Sequence, residues 1–172
     1  MKTTESKPNH LAAKSRHPLS DLSEKGIKEI SASLREMLAD VFALYVKTKN
    51  FHWHMTGPSF RDYHLLLDQQ GEQIFDMTDD IAERIRKLGD VALRSIGDIA
   101  RHQRLQDNDV ASPSPEAMLG ALLADNQELI KYMRVTHGIC DQYEDVATAS
   151  LIENWIDETE RRAWFLYEIV NA

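Results

Sequence analysis

A chain of 172 residues can bury roughly 70% of its unfolded surface in one domain, so it needs no disulfide or metal staple merely to fold. With 42% hydrophobic and 28% charged residues it is too apolar for a disordered chain, and 7 glycines and 5 prolines are few for a sandwich or barrel of tight turns. The net charge of −8 divides unevenly: residues 1–20 carry Lys2, Lys7, Lys14 and Arg16 against Glu5, a net +3, which leaves −11 for residues 21–172.

Apolar runs of only a few residues exclude a membrane-spanning helix. Met1–Ser20 lacks the apolar centre of a signal peptide, so an unexported chain is expected. The single cysteine, Cys140, excludes an intramolecular disulfide and a multi-cysteine zinc site, fits the reducing cytoplasm and reads as a small buried hydrophobe. Residues 1–20, with Pro8 and Pro18 and no apolar period, are expected to form a flexible basic tail ahead of a folded domain over 21–172.

Structure is expected from about Asp21 or Ser23. Ile27, Ile30, Leu34, Leu38, Val41 and Tyr45 recur at three- and four-residue steps, the stripe of an amphipathic helix reaching about His52 and stopped by Gly57-Pro58. Ser59 is placed to cap a second helix of about thirty residues, striped by Phe60, Tyr63, Leu67, Ile74, Ile81 and Ile85 and ended by Gly89. A short helix is expected within Ser95–Leu105. Ser114-Pro115-Glu116 opens a third long helix through Met118, Leu122, Leu129 and Met133 to about Gly138. The fourth follows Asp141–Asp145 and carries Leu151, Ile152, Trp155, Thr159 and Leu166. The fold class is therefore all-α, a four-helix bundle with one long crossover carrying a short extra helix.

The second helix carries the chemistry. His64 and Asp68 are four residues apart, as are Asp79 and Glu83, so each pair projects from one patch. Measured from His64, Asp68, Asp79 and Glu83 point at about 40°, 60° and 100° around the axis, but the pairs are ~16 Å apart along it. One chain cannot close both pairs on one ion. Two copies crossing antiparallel about a two-fold axis near Glu72 and Phe75 bring His64 and Asp68 of one against Asp79 and Glu83 of the other, twice by symmetry. His52, on the inner stripe of the first helix seven residues after Tyr45, adds an imidazole to the His64/Asp68 half. Imidazole and carboxylate without thiolate suit iron, with zinc as a substitute. Taken singly, each residue has a plainer reading: a core histidine, or acids on a solvated face with Arg84 and Arg86 as partners.

His52-Trp53, Gly57, Phe60, His64, Asp68 and the Asp79-x-x-Ala82-Glu83-Arg84 run ending at Gly89 resemble the Dps family of miniferritins. The likeness extends from about residue 25 onward and includes DVATASLIENWIDETERRAWFL in the last helix. It implies a ferritin-like bundle assembled as a hollow homo-dodecamer, with a ferroxidase centre at the two-fold interface formed by His52, His64 and Asp68 of one subunit and Asp79 and Glu83 of its neighbour. It further implies oxidation of Fe(II), with hydrogen peroxide preferred to dioxygen, and storage of ferric mineral. Trp53 is a candidate quencher of stray oxidising equivalents or a packing indole.

The chain has no Glu-x-x-His, which separates it from bundles that hold their metals internally. His54, two residues from His52 and pointing elsewhere, is expected to be exposed. By the same resemblance, Asp141, Glu144 and Asp145 are candidates for an acidic three-fold pore, Asp145 being equally an N-cap, while Ala149 stands where some members place another acid. DNA contact through Lys2, Lys7, Lys14 and Arg16, assisted by His10 and His17 in acid, would associate the protein with the nucleoid. The competing reading is an architectural DNA-binding protein whose interface metal is structural.

Overall fold

The computed structural model describes residues 20–171, so the tail expectations for Lys2, Lys7, Lys14 and Arg16 lie outside the described residues. Five helices form: α1 (Glu24–His54), α2 (Phe60–Lys87), α3 (Ile96–His102), α4 (Pro115–Gln142) and α5 (Val146–Val170). Four begin on a side-chain cap, with Ser23, Ser95, Ser114 and Asp145 accepting from the backbone N–H three residues ahead. Ser59 does not cap α2. Its backbone, at φ −93° and ψ 18°, is far from the extended shape that aims a hydroxyl at the first turn, and the start is held by Phe60 N donating to Gly57 O at 3.1 Å. Gly57 makes this turn at φ 92°, where a side chain would be strained. α4 runs four residues beyond Gly138, because a helical glycine there meets open space and buried Cys140 extends the apolar seam.

Hairpins α1/α2 and α4/α5 pack through α1 against α4 and α2 against α5. Ser33 meets Thr136 at 2.7 Å and Lys47 meets Asp125, so α1 and α4 run antiparallel. The crossover therefore climbs the length of the bundle. It leaves α2 with Asp90 bonded to Arg35, passes mid-height with Arg104 on Asp40, and arrives beside Asn50 and His54 at Asn108–Pro113. The stripes read from the sequence line one shared core, including Leu34, Leu38, Leu67, Ile74, Ile81, Leu122, Met133, Ile152 and Leu166. Phe60 departs from its stripe: it is half-exposed, with its ring 5.0 Å from that of His64.

Among the described residues Glu144 alone of the non-glycines has positive φ, at 60°. It makes the tight α4–α5 turn that lets Asp145 cap α5.

Candidate metal centre

His52 is in the last turn of α1 and His64 in the second turn of α2, and the hairpin stacks their rings 3.8 Å apart at 20°. Each Nδ1 donates to the other residue's backbone carbonyl, at 2.8 Å for His52 to His64 O and 2.9 Å for His64 to His52 O. A carbonyl oxygen only accepts, so both Nδ1 atoms carry the proton in this arrangement. In the neutral rings this leaves both Nε2 lone pairs free for an electrophile. Metal-binding histidines are usually oriented by such a bond from the opposite ring nitrogen.

Asp68 lies one turn beyond His64, its Oδ1 3.7 Å from His52 Nε2. The same oxygen accepts from Lys49 Nζ at 2.6 Å. The Lys49 ammonium, hydrogen-bonded to Asp68, holds its carboxyl below the usual carboxylate range. Lys49 was absent from the sequence-derived set, although its place one turn before His52 on the same helix is a signal that could have found it. Its ammonium therefore competes with a metal cation for the Asp68 carboxylate. Lys49→Met is expected to lower the Fe(II) or Zn(II) concentration that half-saturates the protein severalfold, as read by titration of the metal-free chain.

Asp79 and Glu83 are exposed further along α2, and Glu83 pairs at 3.0 Å with Lys87. The arginines that the plainer reading pairs with these acids bond elsewhere. Arg84 bonds Asp145 at 2.7 Å and Thr148 at 2.6 Å, and Arg86 bonds the backbone of Asp90. Among the described residues no three His, Cys, Asp or Glu of a single chain are disposed to hold an ion. The chain gathers His52, His64 and Asp68 and leaves Asp79 and Glu83 separate. The α2 band bearing these candidate residues also carries Phe60, Leu65 and Phe75, which are 44%, 48% and 49% exposed. Such large half-exposed side chains among polar neighbours mark a surface suited to burial against another chain.

Trp53 is 64% exposed, so in this chain it is not a buried packing indole. His54 is exposed as expected, with Nδ1 bonded to Asn50 O. Of the pore candidates, Asp141 and Glu144 are exposed, and Asp141 faces His137 at 3.1 Å. Asp145 is buried between its capping bond to Thr148 and its ion pair with Arg84, which is the capping alternative. Burial beside Asp145 and Asp141 pushes the Cys140 thiol up to about 12, so it is no thiolate nucleophile near neutral pH.

The bundle interior holds the Arg162 guanidinium, which bonds Asn126 at 3.2 Å and Thr159 at 2.6 Å. That fits the missing Glu-x-x-His.

Residues 31–172 match the ferritin-like domain. An uncharacterised low temperature-induced protein of Nostoc is 31% identical over 155 residues, 90% of this chain and 85% of that protein. DNA protection during starvation protein 1 of Deinococcus radiodurans is 29% identical over 87% of this chain and 72% of its own. Among solved structures, DpsC from Streptomyces coelicolor superposes with a TM-score of 0.87 over 90% of this chain and 91% of its own, at 25% identity. The Dps of Thermosynechococcus elongatus gives 0.82 over 85% and 92%, also at 25% identity. With the domain match spanning most of its length and relatives of this kind, the chain belongs to the Dps family of ferritin-like proteins.

Proposed function

We propose that this protein sequesters iron by oxidising Fe(II) at sites shared between subunits, and that it stores the ferric product inside a homo-dodecamer, protecting DNA from oxidative damage. The observation that carries this reading is the His52/His64 clasp. It fixes two free imidazole nitrogens beside Asp68, on a helix whose remaining acids lie too far along the axis to close the same site. A second copy about a two-fold axis supplies Asp79 and Glu83 and covers Phe60, Leu65 and Phe75. A relative in Helicobacter pylori is named DNA protection during starvation protein, and a Dps of Vibrio cholerae is described as one of the ferritin-like diiron-carboxylate proteins.

Fe(II) is the substrate. Two ions each give one electron to one hydrogen peroxide, its O–O bond breaks, and two protons are taken up to release two waters. Carboxylates favour the ferric product as charge rises, and the imidazoles keep the donor set mixed enough for iron to leave. Pairing both electrons with one oxidant avoids releasing hydroxyl radical. Zinc fits the same donors as a redox-inert substitute. The test is native mass together with peroxide-driven Fe(II) oxidation on one metal-free sample. Twelve subunits with rapid peroxide consumption support the reading, and a monomer or an inert assembly overturns it.

DNA contact in this proposal belongs to Lys2, Lys7, Lys14 and Arg16, since residues 21–172 are net −11. Many tails on one particle multiply weak phosphate contacts by avidity. Affinity for duplex DNA of any sequence is expected to fall by about tenfold or more between 50 and 200 mM salt, and to vanish on deletion of residues 2–19. Gel-shift titrations at several salt concentrations read both. The site of action is then the cytoplasm, at the nucleoid. No helix among the described residues is long and apolar enough to cross a membrane.

A further inference from the structure

Arg162 is the largest buried side chain that the metal chemistry leaves unused. It is 1% exposed, and among the described residues no carboxylate pairs with it. Its Nε and Nη2 are satisfied by Asn126, Thr159 and the Met77 sulfur, but Nη1 has no acceptor. Gln70, 3% exposed on the facing helix α2, donates to Arg162 O at 3.4 Å while its own Oε1 has no donor. Both residues line one cavity of about 60 Å³ between α2 and α5, whose other polar walls are Gln69, Gln73 and Arg161. In a chain of net charge −8, this cavity has two arginines, three glutamines and no carboxylate in its lining.

We propose that this cavity is a binding site for a small hydrogen-bearing oxyanion, of the bicarbonate or dihydrogen phosphate kind, held by Arg162 and Gln70 with Arg161 at the mouth. The unmet demands are a negative charge, an acceptor for Nη1 and a donor for Oε1. Water meets the last two and leaves the charge unbalanced. Chloride balances the charge but offers Gln70 no hydrogen. An oxyanion carrying one O–H meets all three. An unpaired buried charge is otherwise among the more expensive features a fold can hold. Burial pushes the Arg162 pKa down to about 10, against the opposing pull of Glu158, so the guanidinium still carries its charge at neutral pH. Both unpartnered atoms are closed to solvent in this conformation. Seating the ion against them requires long side chains of the cavity wall, such as Gln69, Gln73 and Arg161, to change rotamer.

The full-length, metal-free protein is titrated calorimetrically with sodium bicarbonate, with sodium phosphate and with sodium chloride at constant ionic strength. Thermal midpoints are followed in parallel. The proposal expects saturable binding of one oxyanion per chain, a rising midpoint with ligand concentration and no saturable heat from chloride. Arg161→Gln, at an exposed position, is expected to weaken binding about tenfold through loss of one charge-assisted bond. Arg162→Met abolishes it, and a buried charge replaced by an apolar side chain of similar size commonly leaves the fold intact. Saturation by bicarbonate alone or by phosphate alone supports the proposal and identifies the source. No saturable binding of either oxyanion, or binding that both variants leave unchanged, overturns it.

Discussion

Replacing His64 and Asp68 together by alanine is expected to lower the initial rate of peroxide-driven Fe(II) oxidation about a hundredfold or more, with the native mass unchanged. Loss of a residue that merely orients a ligand already costs 10–100-fold, and here two of the proposed ligands go from each half-site. The His52 clasp is also cut, because His64 Nδ1 no longer donates to His52 O and the imidazole stack is lost. Replacing Asp79 and Glu83 should give the same loss by removing the other half. Stopped-flow absorbance of the ferric product measures the rate, and native mass spectrometry reads the assembly. An intact oxidation rate in either variant contradicts the assignment. Collapse of the assembly instead identifies the metal as structural, the competing architectural reading.

Asp40→Ala is expected to destabilise the folded chain by about 3–5 kcal/mol, because it removes the buried acceptor of two backbone N–H groups and leaves the half-buried Arg104 guanidinium with only Glu36 as its anion. Asp40 is completely buried, and its two oxygens accept from Arg104 N at 2.6 Å, Leu105 N at 3.0 Å, Arg104 Nε at 2.8 Å and Arg104 Nη2 at 2.6 Å. The Arg104 guanidinium also lies 3.9 Å over the Tyr132 ring on α4 and reaches Glu36 at 3.1 Å. This one carboxylate fastens the middle of the crossover to α1 and, through Arg104, to α4. For a chain of this length the loss corresponds to a fall of roughly 10 °C in the thermal midpoint. Asp40→Asn, which keeps one accepting oxygen, should lose less. A midpoint unchanged in Asp40→Ala would show that the crossover is held by its apolar contacts alone.

The four long helices were legible because each buries a continuous stripe, and stripes such as Ile30-Leu34-Leu38 or Leu122-Leu129-Met133 have a period that can be read without coordinates. Ends were less legible. Ser114-Pro115-Glu116 carries several independent start signals and begins α4 as expected, whereas Ser59 offered only a residue type and its backbone turned away from the capping shape. Gly138 looked like a stop, but nothing packs at its missing Cβ and the seam continues to Cys140. Contacts between distant charges leave no period at all. Asp40 and Arg104 are 64 residues apart, and Arg84 was free on paper to serve Asp79 or Glu83 yet binds Asp145. Arg162 was hidden for the opposite reason, being a cation on the buried seam of α5 where an apolar residue is the rule.

At the candidate centre, helical spacing gave the direction and separation of His64, Asp68, Asp79 and Glu83, and the axial gap followed from the rise per residue. What spacing could not give was the protonation pattern. Only the hairpin brings the His52 and His64 carbonyls within reach of each other's Nδ1, and only the tertiary structure turns Lys49 onto Asp68.

Sharing of the site between subunits is tested most directly by subunit mixing. A chain with His64 and Asp68 replaced by alanine and a chain with Asp79 and Glu83 replaced by alanine are each inactive; unfolded together and refolded in equal amounts, they pair at random. Each mixed two-fold pair rebuilds one intact site from the undamaged halves, so the refolded sample should recover about a quarter of the wild-type Fe(II) oxidation rate. A mixture as inactive as its two components would contradict a centre divided between neighbouring chains.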